Sequence, residues 1–461
     1  MTIRDRAPVE PTYWAGDLET LSADELDARA GRSLVRQLGY VAGHSPFYQR
    51  KLAAAGVELR AIRGIEDLRY LPFTEKEELR VSQEEHPPLG WHAAVPMGQT
   101  VRIHASSGTT GKPSFVGLTA RDSAGWSEMT ARCLYACGVR PETIIAYAFN
   151  IGFFCGGLAN TDAIEAIGST LVPIGTGASD RLMAAIRTIG VNQITCTPSY
   201  ILYFAGVVRD KYGIDPAQLG ITHLILGGEP GGGVPGVREA IQQEWGATVF
   251  DSMGNADLAP VFLGECPERT GMHFMGQGFL YAELIDPETA TSLSMADGVE
   301  GELVVTHLDR ECVPLVRFRT RDRVVVWTSP CACGRTSFRL RCVGRTDDML
   351  IVLGVNVFPS AVKDVVMTHR PRTTGELLIQ IDQPGPRVDP PLHVQIEHGP
   401  DVRPEELPAL ADRLNADLRA KLIVPTQVEL VPPGTLPRSE MKSQPVRVVA
   451  PAGQRRQGPE R

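Results

Sequence analysis

Between about residues 143 and 253, short apolar runs alternate with amphipathic stretches. Leu171-Val172-Pro173-Ile174 precedes a helical pattern over 180–189, and Gln193-Ile194-Thr195-Cys196 precedes one over 199–211. His223-Leu224-Ile225-Leu226 leads into 236–245, followed by Thr248-Val249-Phe250. Short apolar strands separated by helical patterns predict a parallel sheet covered by helices. Residues 1–100 read as helical and irregular. A β-rich segment runs from about 279 to 343 and includes Gly301-Glu302-Leu303-Val304-Val305-Thr306. Beyond a boundary near 344–350 the pattern changes again. A helix is predicted after Pro359, and strands at Leu377/Ile379/Ile381, Leu392/Val394/Ile396 and Val428/Leu430. Leu407, Leu410, Leu414 and Leu418 share one helix face. The expected fold class is α/β, with a large N-terminal domain (1–344) of helix-covered parallel sheets plus a β-rich subdomain. A small α+β C-terminal unit (345–450) follows, then a disordered Pro/Gly-containing tail (451–461).

A chain of 461 residues suits two or three domains, and 43% apolar with 22% charged residues is the composition of a globular protein. The net charge of −8 argues against nucleic acid or an anionic membrane as main partner. No apolar run approaches the ~20 residues of a membrane span. The start, MTIRDRAPVEPTYW, has no apolar core of a signal peptide. Nine cysteines, an odd count, fit a cytoplasmic protein whose thiols are reduced or bound to metal.

The densest chemistry lies in Ser106-Ser107-Gly108-Thr109-Thr110-Gly111-Lys112-Pro113-Ser114. Glycines let a backbone approach phosphate closely, hydroxyls and amides donate hydrogen bonds, and a lysine adds a point charge. The spacing excludes a Walker loop, which places four residues between its first glycine and the Gly-Lys pair. Here Gly108 and Gly111 are separated only by Thr109 and Thr110, and Pro113 stands where Ser or Thr would hold Mg²⁺. The loop points to a nucleotide enzyme of another kind; the bland alternative is a polar surface turn.

Six segments occur in register: SSGTTGKPS, GGEP (227–230), DSMGNAD (251–257), PLVRFRTRD (314–322), VGRTDDMLIVLGVNVFP (343–359) and PRSEMKSQPVRV around Lys442. Together they resemble the core motifs of adenylate-forming enzymes, the acyl-CoA synthetase superfamily, and most closely the phenylacetate-CoA ligase family. The resemblance spans about residues 30–450. It implies ATP, Mg²⁺ and CoA as cofactors and cosubstrates. Ser107, Gly108, Thr109, Thr110, Gly111 and Lys112 would hold the β- and γ-phosphates. Gly228, Glu229 and Pro230 would line the adenine slot, with Asp251, Ser252, Met253 and Gly254 beside the nucleotide. Asp322 would take the ribose hydroxyls, with a surface ion pair to Arg319 or Arg323 as the alternative, and Arg345 would approach the nucleotide, with a hinge-region salt bridge as the alternative. Asp347 would be the hinge of a mobile C-terminal lid carrying Lys442, the cation expected at the reacting carboxylate and α-phosphate. Asp257 would coordinate Mg²⁺. The family pattern there is Tyr-Gly-x-Ser/Thr-Glu, so Met253, Ala256 and the shorter Asp257 are departures, and Mg²⁺ is strict about geometry. In AYAFNIGFFCGG (146–157), Phe149, Phe154 and Gly156 would line an aryl pocket; core aromatics are the alternative.

Cys331 and Cys333, joined by Cys266 and His273, offer four soft ligands suited to structural Zn²⁺. The pairing across some 60 positions is implied by the resemblance, since local spacing cannot supply it; buried free thiols are the alternative. Cys133, Cys137, Cys155, Cys196, Cys312 and Cys342 lack ligand spacing and are expected in the core. The leading expectation is an aryl-CoA ligase acting on a phenylacetate-, benzoate- or anthranilate-like acid. The rivals are an adenylating enzyme that loads a carrier-protein thiol, and a non-catalytic ligand-binding protein. The resemblance also suggests a homodimer.

Overall fold

The computed structural model describes residues 12–106, 114–153, 155–346, 348–353, 355–383, 385–437 and 445–449. The expectations placed on Ser107–Lys112, Phe154, Asp347, Lys442 and the 451–461 tail lie outside these residues. The predicted alternation over 143–253 is realised almost residue for residue. Strands Ile144–Tyr147, Thr170–Pro173, Gln193–Cys196, His223–Leu226 and Thr248–Asn255 run parallel, separated by helices Gly156–Ile167, Ser179–Ile189, Pro198–Tyr212 and Pro235–Trp245. Gln193–Cys196 is buried at every position. That burial explains why it reads as a continuous apolar run, as parallel strands covered on both faces do.

The β-rich segment does not stand apart from this sheet. Thr248–Asn255 pairs parallel with His223–Leu226 on one side and antiparallel with Ala259–Gly264 on the other. The result is one twelve-stranded sheet, parallel at one end and antiparallel at the other. The register of Thr248–Asn255 shifts between Met253 and Asn255. Gly254 sits in that irregularity, and a Cβ there would lie 1.9 Å from the Pro260 carbonyl oxygen. Only glycine fits such an approach.

Helix Lys76–Glu85 begins with a box in which the Glu78 carboxylate accepts the Glu75 amide (2.7 Å). The preceding Thr74 is fixed to the sheet. Its amide donates to the Arg317 carbonyl (2.9 Å), and its carbonyl accepts from the Arg319 amide (3.0 Å). Leu79 and Ser82 face inward, so the helix start has a defined position against strand Phe318–Trp327.

The C-terminal unit is a four-stranded sheet in the order Thr426–Val431, Leu392–His398, Thr373–Ile381, Val446–Val448, with helices Pro359–Thr368 and Leu407–Leu422. Its leucines and valines form a core of their own. It meets the large domain where Pro359–Thr368 packs on Pro235–Trp245. The Gly236 amide donates to Asp364 Oδ1 (2.9 Å), and Arg370 pairs with the buried Glu244 (3.1 Å). Among the described residues no helix is long and apolar enough to cross a membrane.

Candidate active site

Parallel strands present their carboxyl ends on one edge, where α/β sheets hold ligands. That edge gathers several of the predicted residues. Gly227-Gly228-Glu229-Pro230 follows strand His223–Leu226 directly. The Gly227 amide donates to the Cys196 carbonyl (3.2 Å), and the Ser252 hydroxyl donates to the Leu226 carbonyl (2.9 Å). Glu229 is buried, and its carboxylate accepts the Ser199 amide (2.7 Å) in the first turn of helix Pro198–Tyr212. A carboxylate in that position also complements the positive end of the helix dipole. Gly228 has φ +83°, a left-handed conformation that a side chain disfavours.

Phe149, half-buried, follows strand Ile144–Tyr147, two places along the sheet from His223–Leu226, and comes to the same place. A Cβ on Gly228 would lie 3.4 Å from its ring. The Phe149 ring also packs at 5.5 Å on Tyr147, whose hydroxyl donates to the carbonyl of Gly156. An aromatic wall thus abuts the GGEP backbone. Phe153, which sequence reasoning passed over for Phe154, is 55% exposed.

Asp251 crowds the glycines that follow GGEP: a Cβ on Gly232 would lie 2.6 Å from its Oδ1. Burial, reinforced by the nearby Glu265 carboxylate and opposed by Arg238, pushes the Asp251 carboxyl up to about 8. Asp322 and Arg345 stand directly opposite each other on adjacent antiparallel strands. Arg345 Nη1 donates to Asp322 Oδ1 (3.1 Å), and Asp322 is 4% exposed. Arg319 instead bonds Glu302 (2.6 Å) and Arg323 bonds Glu300 (2.5 Å), so the ion pair of Asp322 is made with Arg345.

Asp257 is buried, and Lys76 Nζ donates to both of its oxygens, at 2.6 and 2.7 Å. Lys76 escaped the sequence reading: nothing local marks a lysine at a helix start as the partner of a carboxylate 181 positions away. Gln83, on the same helix, was missed as well. Its amide nitrogen donates to the Phe115 carbonyl (2.6 Å), and its amide oxygen accepts the Phe115 N–H (3.1 Å). This fixes strand Phe115–Leu118 just after the Gly/Thr-rich loop. The mouth of that loop is closed by the Ser106 amide donating to the Ser114 carbonyl (2.9 Å) and by contact of the two hydroxyls (2.7 Å).

The segment that holds Lys442 is tied to the C-terminal sheet at both described flanks. The Leu436 amide donates to Glu397 (2.7 Å), and the Ile379 amide donates to the Pro445 carbonyl (2.7 Å).

Cys266, His273, Cys331 and Cys333 converge, with all ligand atoms within 4.8 Å of one another. Cys266 Sγ lies 3.7 Å from Cys331 Sγ, and Cys333 Sγ 3.4 Å from His273 Nε2. Zn–S and Zn–N bonds of about 2.3 and 2.0 Å at tetrahedral angles require separations of about 3.7 and 3.5 Å. The second ring nitrogen, His273 Nδ1, lies 3.3 Å from the Ser337 carbonyl, which leaves Nε2 facing the thiols. Hydrogen bonding from the Cys266 thiol and from His273 holds Cys333 well below the usual thiol range, and the same contact pushes Cys266 up. The donor set and spacing fit a structural zinc ion. Cys133, Cys137, Cys196 and Cys312 are buried elsewhere, while Cys155 and Cys342 are partly buried.

A family model described as the AMP-binding enzyme C-terminal domain matches residues 354–449. The chain is 37% identical to the phenylacetate-coenzyme A ligase of Thermus thermophilus over 440 residues, covering 92% of this chain and 96% of the relative. It is 34% identical to the phenylacetate-coenzyme A ligase of Escherichia coli K12 over 431 residues, covering 92% and 95%. Among solved structures, 2-hydroxyisobutyryl-CoA ligase in the postadenylation state with 2-HIB-AMP superposes with a TM-score of 0.89 at 28% identity, over 97% of this chain and 94% of that one. The same ligase in its thioesterification state with 2-HIB-AMP and CoA gives a TM-score of 0.71 at 28% identity, over 96% and 94%. The chain thus superposes better on the postadenylation form of that ligase than on its thioesterification form.

Proposed function

The chain belongs to the phenylacetate-coenzyme A ligase family of adenylate-forming enzymes, and on that footing we propose that it activates an aromatic carboxylic acid with ATP and transfers the acyl group to CoA. A carboxylate oxygen of the acid attacks the α-phosphorus, the bond from that phosphorus to the α,β-bridging oxygen breaks, and pyrophosphate leaves. The CoA thiolate then attacks the acyl carbonyl, the bond to the phosphate oxygen breaks, and AMP leaves. Little covalent chemistry falls to the protein; positioning and charge stabilisation carry the rate.

The observation that carries this reading is the Phe149 ring against Gly228. It supports an aromatic acyl pocket that opens onto the nucleotide slot formed by Gly228, Glu229 and Pro230. Ser107, Gly108, Thr109, Thr110, Gly111 and Lys112 hold the distal phosphates. Asp251, Ser252, Met253 and Gly254 flank the nucleotide, and Asp322, steadied by Arg345, receives the ribose hydroxyls. Phe154 and Gly156 complete the acyl pocket. Lys442 serves adenylation and is withdrawn when the lid turns about Asp347. Mg²⁺ is the usual companion of ATP in this family, and it neutralises phosphate charge when bound. Cys266, His273, Cys331 and Cys333 hold a structural zinc ion. A cytoplasmic setting that keeps the thiols reduced, and a homodimer, complete the proposal.

A second substrate reading has its own support: the close superposition on 2-hydroxyisobutyryl-CoA ligase favours a small branched hydroxy acid. Acid-dependent pyrophosphate exchange decides between them. A panel of phenylacetate, benzoate, anthranilate and 2-hydroxyisobutyrate is expected to give exchange with an aryl acid, followed by acyl-CoA when CoA is added. Exchange with the hydroxy acid alone would favour the second reading, and thioester formation only on a carrier protein would remove CoA. Lys442→Ala is expected to lose adenylation yet convert supplied aryl-AMP.

A further inference from the structure

The Asp257 carboxylate stands where the family pattern places a Mg²⁺ ligand, but its surroundings do not fit that ion. Both oxygens are taken by Lys76 Nζ, at 2.6 and 2.7 Å, and the Asp257 side chain is only 10% exposed. Mg²⁺ needs near-octahedral oxygen donors at about 2.0–2.1 Å and usually keeps several waters. While Lys76 holds the carboxylate, the described residues of the small cavity beside Asp257 offer no such set. Its other polar walls are Gln83, His92 and Ser114. Gln83 is spent on the Phe115 backbone, His92 Nδ1 contacts the Ser82 hydroxyl (3.0 Å), and the Ser114 hydroxyl contacts Ser106. Burial also pulls the His92 imidazole down to about 4, so it is neutral and adds no positive charge.

Lys76 is not a flexible surface lysine that happens to lie near. It is the first residue of helix Lys76–Glu85, whose entry is bonded to strand Phe318–Trp327 through Thr74. The backbone on both sides of the ion pair is therefore fixed by the sheet. A divalent ion at Asp257 would have to displace an ammonium that is already in contact with both oxygens. Two cations on one carboxylate would also repel each other strongly at this depth.

We infer that Lys76, not a divalent ion, is the resident cation of Asp257. The pair forms a fixed, charge-neutral floor beside Ser114, and the divalent ion of the reaction enters on the nucleotide phosphates alone. Lys76 is a positioning residue in this scheme. It keeps an uncompensated carboxylate from repelling the polyphosphate, a role the family pattern gives to the metal. The single-methylene shortening from Glu to Asp is then an adjustment to a lysine partner. This inference rests on the adenylation reading for its purpose, but its test does not require turnover.

Mn²⁺ binding to the nucleotide-free, zinc-replete full chain, read by electron paramagnetic resonance, supplies that test. Wild type and Asp257→Asn are expected to bind Mn²⁺ indistinguishably. Lys76→Met, which frees the carboxylate, is expected to bind Mn²⁺ at least ten-fold more tightly, and Lys76→Met/Asp257→Asn to lose that gain. A wild-type Mn²⁺ site abolished by Asp257→Asn would overturn the inference. So would a Lys76→Met protein with no gain over wild type. Lys76→Arg, which keeps the charge, is expected to behave as wild type; an Mn²⁺ gain there equal to that of Lys76→Met would equally overturn it. Failure of every acid in pyrophosphate exchange would count against the adenylation reading and leave the Mn²⁺ result to stand by itself.

Discussion

Among the described residues, two places carry the marks of a metal site, and they are built in opposite ways. At Cys266, His273, Cys331 and Cys333, four soft ligands from distant parts of the chain meet at tetrahedral spacing, and the Arg335 guanidinium that approaches Cys333 is itself paired with Glu19 (2.7 Å). At Asp257, one hard ligand meets a lysine that occupies both of its oxygens. The family resemblance marks both as candidates. The difference lies in what the fold delivers to each: more ligands to the first, a competing cation to the second. A ligand without further ligands is a charge that needs a partner, and here the partner comes from the protein.

The largest effect is expected at the four-ligand site. By atomic absorption the wild type is expected to carry one zinc ion per chain and Cys331→Ser none. The substitution should also destabilise the fold by about 4 kcal/mol or more, as loss of a structural metal does. A Cys331→Ser protein with unchanged thermal midpoint would reduce the quartet to buried thiols and erase the contrast.

Lys76→Met tests the other side. Removing one partner of a largely buried pair leaves the carboxylate uncompensated. The expected cost in denaturant unfolding is roughly 2 kcal/mol, below the full buried-pair figure because Lys76 keeps some exposure. Replacing both partners, as Lys76→Met with Asp257→Leu, should recover much of the loss. If the double variant is no better than the single, the pair is not the reason for the destabilisation.

Asp251 sharpens the comparison as a third case, a carboxyl with neither a metal nor a lysine against it. Its folded titration is raised to about 8, first by burial and then by Glu265, with Arg238 opposing. A raised carboxyl favours the protonated folded form. Its stabilising contribution is thus complete below about pH 4 and is lost as pH rises through about 8. The thermal midpoint of Asp251→Asn should fall less than that of wild type between pH 5 and 8. Equal slopes would show that this carboxyl does not titrate in that window.

Much of the fold was legible from the chain. The strands around Ile194, Leu224 and Val249 were readable because both faces are buried, so apolar residues run without interruption. The helices between them were readable because one face is solvated. The Leu410, Leu414 and Leu418 face of the C-terminal unit was equally plain, for the same reason. The union of the α/β and β-rich segments was not legible. It depends on Thr248–Asn255 pairing on both edges, and a strand's pattern records which faces are buried but not which neighbours bond its edges. The opposition of Asp322 and Arg345 is a register, set by the pairing of Phe318–Trp327 with Arg339–Arg345.

The sequence by itself determined the class of chemistry. The glycines and hydroxyls of the 106–114 segment, Gly228 and the Asp322 carboxylate are chemical types that suit a nucleotide site, and their order along the chain carries the family. Only the tertiary structure decided who meets whom. Lys76 reaches Asp257 because Thr74 is bonded to strand Phe318–Trp327, and His273 reaches Cys333 because strand Met272–Phe274 pairs with Arg339–Arg345. Local sequence governs the conformation and solvation of neighbours along the chain. A charge pair or a ligand set across 60 or more positions is governed by sheet register and packing, which no local pattern encodes.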